Sequence, residues 1–226
     1  MRKLFLLAAL VLCASTSQAL TITATDVTVT SADVGQSFTI LYDGQSSGNT
    51  ISGLTGATVY TVQSVGPKSI TLSVVVSNTS SNPITASRVS VFGFDTNPNV
   101  KSATATGAFG TTVLGGSLPS GFGSIELCVK NGQGNNCSGG GGTGITIGQS
   151  GSATLTLNFN NSLPASGVTF SNFGVRYQSI AGAGRTTSAV GFGTPQTPPV
   201  PEPASMAVFG LGALMVGAAL RKRARQ

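Results

Sequence analysis

Histidine and tryptophan are absent from this chain, and charge is scarce: Asp, Glu, Lys and Arg make up 8% of 226 residues, against roughly a quarter in an average soluble domain. Without histidine there is no Ser-His-Asp or Cys-His catalysis and no imidazole metal ligand. Six acidic side chains, isolated beside turn glycines or within strand patterns, offer no recognisable pair for acid–base hydrolysis. The many serines have neither a base nor an elbow motif to activate them. Glycine clusters such as Ser138 to Gly144 lack the Lys-Ser/Thr ending of a phosphate loop. No catalytic, cofactor-binding or metal-binding residue is therefore expected, and the chain reads as a non-enzyme.

The net charge of +6 divides as +2 from Arg2 and Lys3, +1 from the middle of the chain and +3 from residues 201–226. In that middle stretch Lys68, Arg88, Lys101, Lys130, Arg176 and Arg185 are set against Asp26, Asp33, Asp43, Asp95 and Glu126. A near-neutral region with scattered cations is no electrostatic footprint for nucleic acid.

What the chain does have is an apolar segment towards each end. Met1-Arg2-Lys3 leads into apolar Leu4 to Ala14, followed by Ser15-Thr16-Ser17-Gln18-Ala19. A basic start, a short apolar run and a small-x-small site describe a secretory signal peptide over residues 1–19. Its helix would be removed between Ala19 and Leu20 by signal peptidase after Sec export. At the other end Pro201-Glu202-Pro203 precedes residues 204–220, in which Ser205 is the single polar side chain. At 1.5 Å per residue that run spans roughly 26 Å, just short of a hydrocarbon core of about 30 Å, and is expected to form one transmembrane helix with slight local thinning. Arg221, Lys222, Arg223 and Arg225 follow within the basic tail 221–226. They would hold that end in the cytoplasm.

Between the ends the pattern has period two. Ile70, Leu72, Val74 and Val76 share one face, with Thr71, Ser73 and Val75 opposite. Ala153, Leu155, Leu157 and Phe159 alternate with Thr154, Thr156 and Asn158, and Phe173, Val175 and Tyr177 with Gly174 and Arg176. Further strands are expected over 22–29, 37–42, 57–65, 87–95, 102–109 and 124–130, with breakers that include Asp43-Gly44, Asn97-Pro98 and Leu118-Pro119-Ser120-Gly121. This predicts an all-β antiparallel core, a sandwich or jelly roll, over residues 20–191. A solenoid is disfavoured because no fixed repeat is visible. Residues 192–200 then read as a Pro-rich linker. Thr21, Thr23 and Thr25, with Thr28 and Thr30, would form short hydroxyl rows on a first strand, and Thr104 and Thr106 repeat the spacing. Such rows open an alternative reading as an ice- or carbohydrate-binding β-protein.

Once Cys13 has left with the signal peptide, Cys128 and Cys137 remain. In an oxidising compartment such a pair is expected to close a disulfide around the Asn131-Gly132 turn. Zinc would want two more soft ligands, and redox motifs space their cysteines more closely. Asp95-Thr96-Asn97-Pro98-Asn99 has the alternating oxygens of the start of a calcium loop but lacks its later glycine and glutamate, and reads as a capped turn.

Val200-Pro201-Glu202-Pro203-Ala204-Ser205, the Gly/Ala-rich apolar run and the Arg-rich tail together resemble the PEP-CTERM sorting signal, also catalogued as the C-terminal domain of ice-binding proteins. The segments 69–95 and 170–180 extend the resemblance to the cistern family of PEP-CTERM proteins. The resemblance implies export in a Gram-negative bacterium and transient anchoring in the inner membrane. It further implies recognition by an exosortase that cuts near Pro201, Glu202 and Pro203, and a final place at the cell surface or outside it, in association with extracellular polysaccharide. Those three residues are then another enzyme's processing site. Two prolines suit that role, because they keep the segment extended and outside the helix.

Overall fold

A computed structural model describes residues 20–139, 142–184 and 186–197. The expected signal helix with Ala19, Arg185, residues 198–200 of the expected linker, the sorting motif, the expected transmembrane helix and the basic tail lie outside the described residues. Among those described, no helix is long and apolar enough to cross a membrane.

Thirteen strands follow one another in the described residues: β1 (Thr21–Ile22), β2 (Val27–Val29), β3 (Ser37–Ser46), β4 (Asn49–Val65), β5 (Ser69–Asn78), β6 (Ala86–Asn97), β7 (Val100–Gly107), β8 (Thr111–Leu118), β9 (Gly123–Lys130), β10 (Ile145–Thr146), β11 (Ser150–Phe159), β12 (Val168–Ala181) and β13 (Ser188–Gln196). A 3₁₀ turn at Ser31–Asp33 is capped by Thr30, whose amide and hydroxyl both donate to the Asp33 carboxylate at 2.7 Å. The strands pair antiparallel in the order β7-β11-β5-β4-β3-β13-β12-β6-β9-β8, with β2 added to β12, β1 to β2 and β10 to β6. The all-β antiparallel expectation is met, and a solenoid is not what forms.

The sheet curls on itself, and aromatic contacts show how far. Tyr60 on β4 stacks on Phe38 of β3 at 4.9 Å. It also meets Phe92 and Phe94 of β6 at 6.2 and 5.9 Å, although three strands separate β4 from β6 along the sheet. Inner faces from distant parts of the sheet therefore share one core. The path ends also approach, since Thr112 Oγ1 on β8 donates to the Ala103 carbonyl on β7 at 2.8 Å. The apolar face of each of the three alternations points inward: Ile70, Leu72, Val74, Val76, Ala153, Leu155, Leu157, Phe159, Phe173, Val175 and Tyr177 are all buried.

Several boundaries differ from expectation: β4 already begins at Asn49, not at residue 57, and three further differences have a local cause. Residues 22–29 are two strands, because the Asp26 carbonyl accepts from Thr23 N at 2.9 Å and turns the chain between them. Asp43-Gly44 does not break β3: Gly44 is buried where a Cβ would strike Leu54, so this glycine makes room instead of a turn. Phe192 to Gln196 are not linker but the second half of β13, paired from Phe192↔Asp43 to Gln196↔Thr39. Pro195 is tolerated there because β12 stops pairing at Phe192, which leaves that side of β13 free of a ladder needing its N–H. The strand β8, with Gly115 and Gly116, had no alternation to betray it.

The chain's three tyrosines, Tyr42, Tyr60 and Tyr177, are all at most 1% exposed. Tyr42 and Thr58 share a hydroxyl–hydroxyl bond of 2.9 Å. Burial pushes the Tyr60 hydroxyl up to about 12 and raises Tyr42 and Tyr177 as well, Tyr42 with added repulsion from Tyr60. Above the ordinary tyrosine value near 10 the unfolded chain releases protons that the folded chain retains. Stability is therefore full below about pH 10 and falls as pH rises from there towards 12. In a spectrophotometric titration, tyrosinate absorbance should appear in one step with loss of β-sheet circular dichroism. A graded rise centred near pH 10 with the sheet intact would contradict the buried placement.

Candidate functional site

A disulfide joins Cys128 on β9 to Cys137, with the Cα atoms 5.8 Å apart, as the spacing led us to expect. It belongs to a second apolar cluster on the outer face of the sheet with Val91, Leu118, Ile125 and Val190. The loop it closes is ordered around Lys130, which is fully buried and donates from Nζ to the Gln133 and Asn136 carbonyls, both at 2.9 Å. A desolvated ammonium is costly unless its donors are used, and two backbone carbonyls of the same loop use them. Further on, Arg176 Nη1 donates to the Ser138 carbonyl at 2.5 Å. Partial burial draws the Arg176 guanidinium below its ordinary value.

The structure also assembles a pair of carboxylates that sequence reasoning missed. Asp95 on β6 and Glu126 on β9 line an open depression of about 660 Å³ together with Thr96, Asn99, Gly115, Gly116 and Ser124. Glu126 Oε2 accepts from Thr96 N at 2.6 Å and Thr96 Oγ1 at 3.0 Å, and Oε1 accepts from Val100 N at 2.5 Å. Asp95 Oδ1 accepts from Glu126 N at 2.7 Å and Oδ2 from Asn172 Nδ2 at 2.9 Å. All four oxygens are thus engaged by the protein itself. The pair clamps the turn at Asn97-Pro98, between β6 and β7, onto β9. The capped-turn expectation for Asp95 to Asn99 holds, with its cap supplied partly from 30 residues away. Among the described residues no three His, Cys, Asp or Glu side chains gather as metal ligands.

A broad face is formed by the outer side of β7, β11, β5, β4, β3 and β13. Antiparallel register sets Thr104 opposite Thr156 and Thr156 opposite Thr71. The next row runs Thr106, Thr154, Ser73, Thr61, Ser37 across five strands. Rows lie about 6.8 Å apart along the strands, and neighbours within a row about 4.8 Å apart. Hydroxyls bond across strands at Thr71–Thr156 (3.3 Å), Ser37–Thr61 (2.8 Å) and Ser77–Ser150 (2.7 Å). Of the expected rows, Thr21, Thr23 and Thr25 do not align, because the chain turns after Ile22. Thr104 and Thr106 do continue, across neighbours distant in sequence. In β3, β4, β5, β11 and β13 the sole charged side chain is Asp43.

Residues 199–224 match the family model of the PEP-CTERM protein-sorting motif. This chain carries a PEP-CTERM sorting signal. The motif includes Pro201, Glu202 and Pro203 and reaches into the basic tail. It marks an exported protein that is held in a membrane in transit and sorted by an exosortase. No curated protein matches the chain, so the β-core of this PEP-CTERM protein comes with no activity to transfer.

Removing the Glu126 clamp should cost stability. Glu126→Ala leaves Thr96 N and Val100 N without their carboxylate, and should lower the unfolding free energy by about 2–3 kcal/mol. Glu126→Gln, which keeps the shape and one acceptor, should recover part of that. Urea denaturation of both variants checks this; an unchanged midpoint for Glu126→Ala would show the clamp to be idle.

Proposed function

We propose that this protein is an exported, non-enzymatic component of the cell surface or extracellular matrix of a Gram-negative bacterium. It is cut by an exosortase near Pro201-Glu202-Pro203 and associates with extracellular polysaccharide. The match of residues 199–224 to the PEP-CTERM sorting motif carries the reading. Supporting it are the nearly uncharged, hydroxyl-covered sheet face and a carboxylate pair whose oxygens are all occupied within the fold, which disfavours a secreted hydrolase.

The passage through the membrane follows from residue chemistry. After signal-peptide cleavage between Ala19 and Leu20, residues 204–220 enter the bilayer as a helix of marginal length. Arg221, Lys222, Arg223 and Arg225 would cost about 2.5–3.5 kcal/mol each near the bilayer centre, so the chain stops with its tail in the cytoplasm. The extended Pro-Glu-Pro segment is then presented at the outer face to a membrane-embedded protease.

A second reading, recognition of ice, is favoured by the threonine and serine rows that the register assembles. Val59, Val75 and Leu41 break the next two rows along the strands, and sheet twist turns successive strands out of one plane. A soft hydrated polymer can follow such a surface and a crystal lattice cannot. The purified protein should therefore show no thermal hysteresis and no shaping of ice crystals; clear shaping would move the assignment to ice.

The sorting reading is tested by size and fractionation in exosortase-positive and exosortase-deleted hosts. Wild type should be shortened and leave the membrane fraction only where exosortase is present. Glu202→Ala should insert normally and accumulate uncut. Replacing the four tail cations by glutamine should leave Pro-Glu-Pro uncut through misplacement. Full-length, membrane-bound wild type in both hosts would reduce the helix to a plain anchor.

A further inference from the structure

The hydroxyl-covered face is crossed by a line of apolar side chains that the fold leaves in water. Phe192 on β13, Leu41 on β3 and Val59 on β4 are 39%, 46% and 36% exposed. Their positions follow from register. Phe192 lies opposite Asp43, two residues from Leu41; Leu41 lies opposite Ala57, two residues from Val59; and Val59 lies opposite Val75 on β5. Each diagonal step is about 7–8 Å, so the stripe runs obliquely over four strands in one direction. Phe192 is braced at its outer end by Phe122, the rings 4.9 Å apart and 29° from parallel. Phe122 in turn lies over Gly174, where a Cβ would meet its ring. Hydroxyls border the stripe along one side, at Thr194, Thr39, Thr61 and Ser73, while Asp43, Ala57 and Ser77 border the other, with Thr55 beyond them.

We propose that this stripe, with Phe192 as its aromatic platform and Leu41 and Val59 as its floor, is the seat of a single neutral polysaccharide chain. The proposal rests on the polysaccharide association proposed above and names the site that carries it. Sugar rings present apolar C–H faces and hydroxyl edges, which is the complement of an apolar line flanked by a row of hydroxyls. An aromatic face adds the favourable contact that polarised C–H groups make with a π cloud. Charge decides which polysaccharide. With Asp43 the sole charged side chain on these strands and no cation beside it there, the face has nothing to pair with carboxylated or sulfated sugars, and an anionic polymer would meet a carboxylate. Area decides against a second copy of the chain. Three part-exposed side chains offer on the order of 200 Å² of apolar surface, too little to centre the ~800 Å² per partner of a stable protein interface.

The full-length chain, purified from an exporting host in mild detergent, is run in affinity electrophoresis through gels containing hydroxyethyl cellulose, glucomannan or alginate, and through one containing the host's own extracellular polysaccharide. Retardation is expected in at least one neutral glycan and not in alginate. Leu41→Ser and Phe192→Ala should each weaken that retardation about fivefold or more, the scale of roughly 1 kcal/mol. Leu114→Ser, at an exposed leucine on β8 away from the stripe, should leave it unchanged, and all three variants should keep the wild-type circular dichroism. Equal retardation of wild type, Leu41→Ser and Phe192→Ala would overturn the site while leaving the polysaccharide reading intact. Retardation by alginate alone would overturn the neutral ligand. No retardation in any gel, the host polymer included, would overturn both. A concentration-dependent dimer abolished by Leu41→Ser would assign the stripe to a second copy.

Discussion

Tyr60 lies face to face with Phe38 on its own side of the sheet and edge-on to Phe92 and Phe94 from the far side, and most of this architecture depends on that meeting. A chain with so few charges cannot rely on ion pairs, and its helix-poor alternating strands each expose one apolar face. The sheet buries those faces by curling until they touch, with Phe170 and Phe173 filling the gap beside Phe38 and Phe94. Everything outside then follows from the pleat: once the inner set is apolar, the outer set is the threonine, serine and asparagine that alternate with it.

Inside this curled sheet the polar groups that cannot reach water act as fasteners. Asn78 Nδ2 donates to the Ser87 carbonyl at 3.2 Å and to the Ile145 carbonyl at 3.0 Å, which ties the end of β5 to β6 and β10. Glu126 gathers the β6–β7 turn, and Lys130 gathers the disulfide loop. Each uses one residue to satisfy backbone groups that irregular segments would otherwise leave unpaired. That division of labour bears on function. The few charges near the core are consumed in holding loops, so the broad outer face is left mostly to neutral hydroxyls and a short apolar line, with Asp43 beside it. A surface of that kind suits weak, repeated contact with a hydrated neutral polymer.

Legibility varied with the range of the interaction concerned. The alternations at 70–76, 153–159 and 173–177 state their buried faces directly, because each strand carries its own period. The cysteine pair is readable because its loop is short. Pro195 misled for a local reason: proline normally marks the end of a strand, and only the pairing pattern reveals that its missing N–H faces no ladder. Gly44 misled in the same way, since a glycine that turns the chain and one that admits Leu54 look identical in sequence. The pairing of Asp95 with Glu126 left no signal, its two halves being separated by β7 and β8.

The amino-acid sequence by itself determined that this protein carries a sorting signal for export, because such a signal is a contiguous stretch of side chains. It determined the β character too, through a period set by the backbone. Tertiary structure alone decided which threonines become neighbours, which carboxylates meet, and that Phe192, Leu41 and Val59 form a line. Those relations are registers between strands far apart in the chain, and register is chosen by the whole core together: a slip of one residue in any strand would turn its buried face outward.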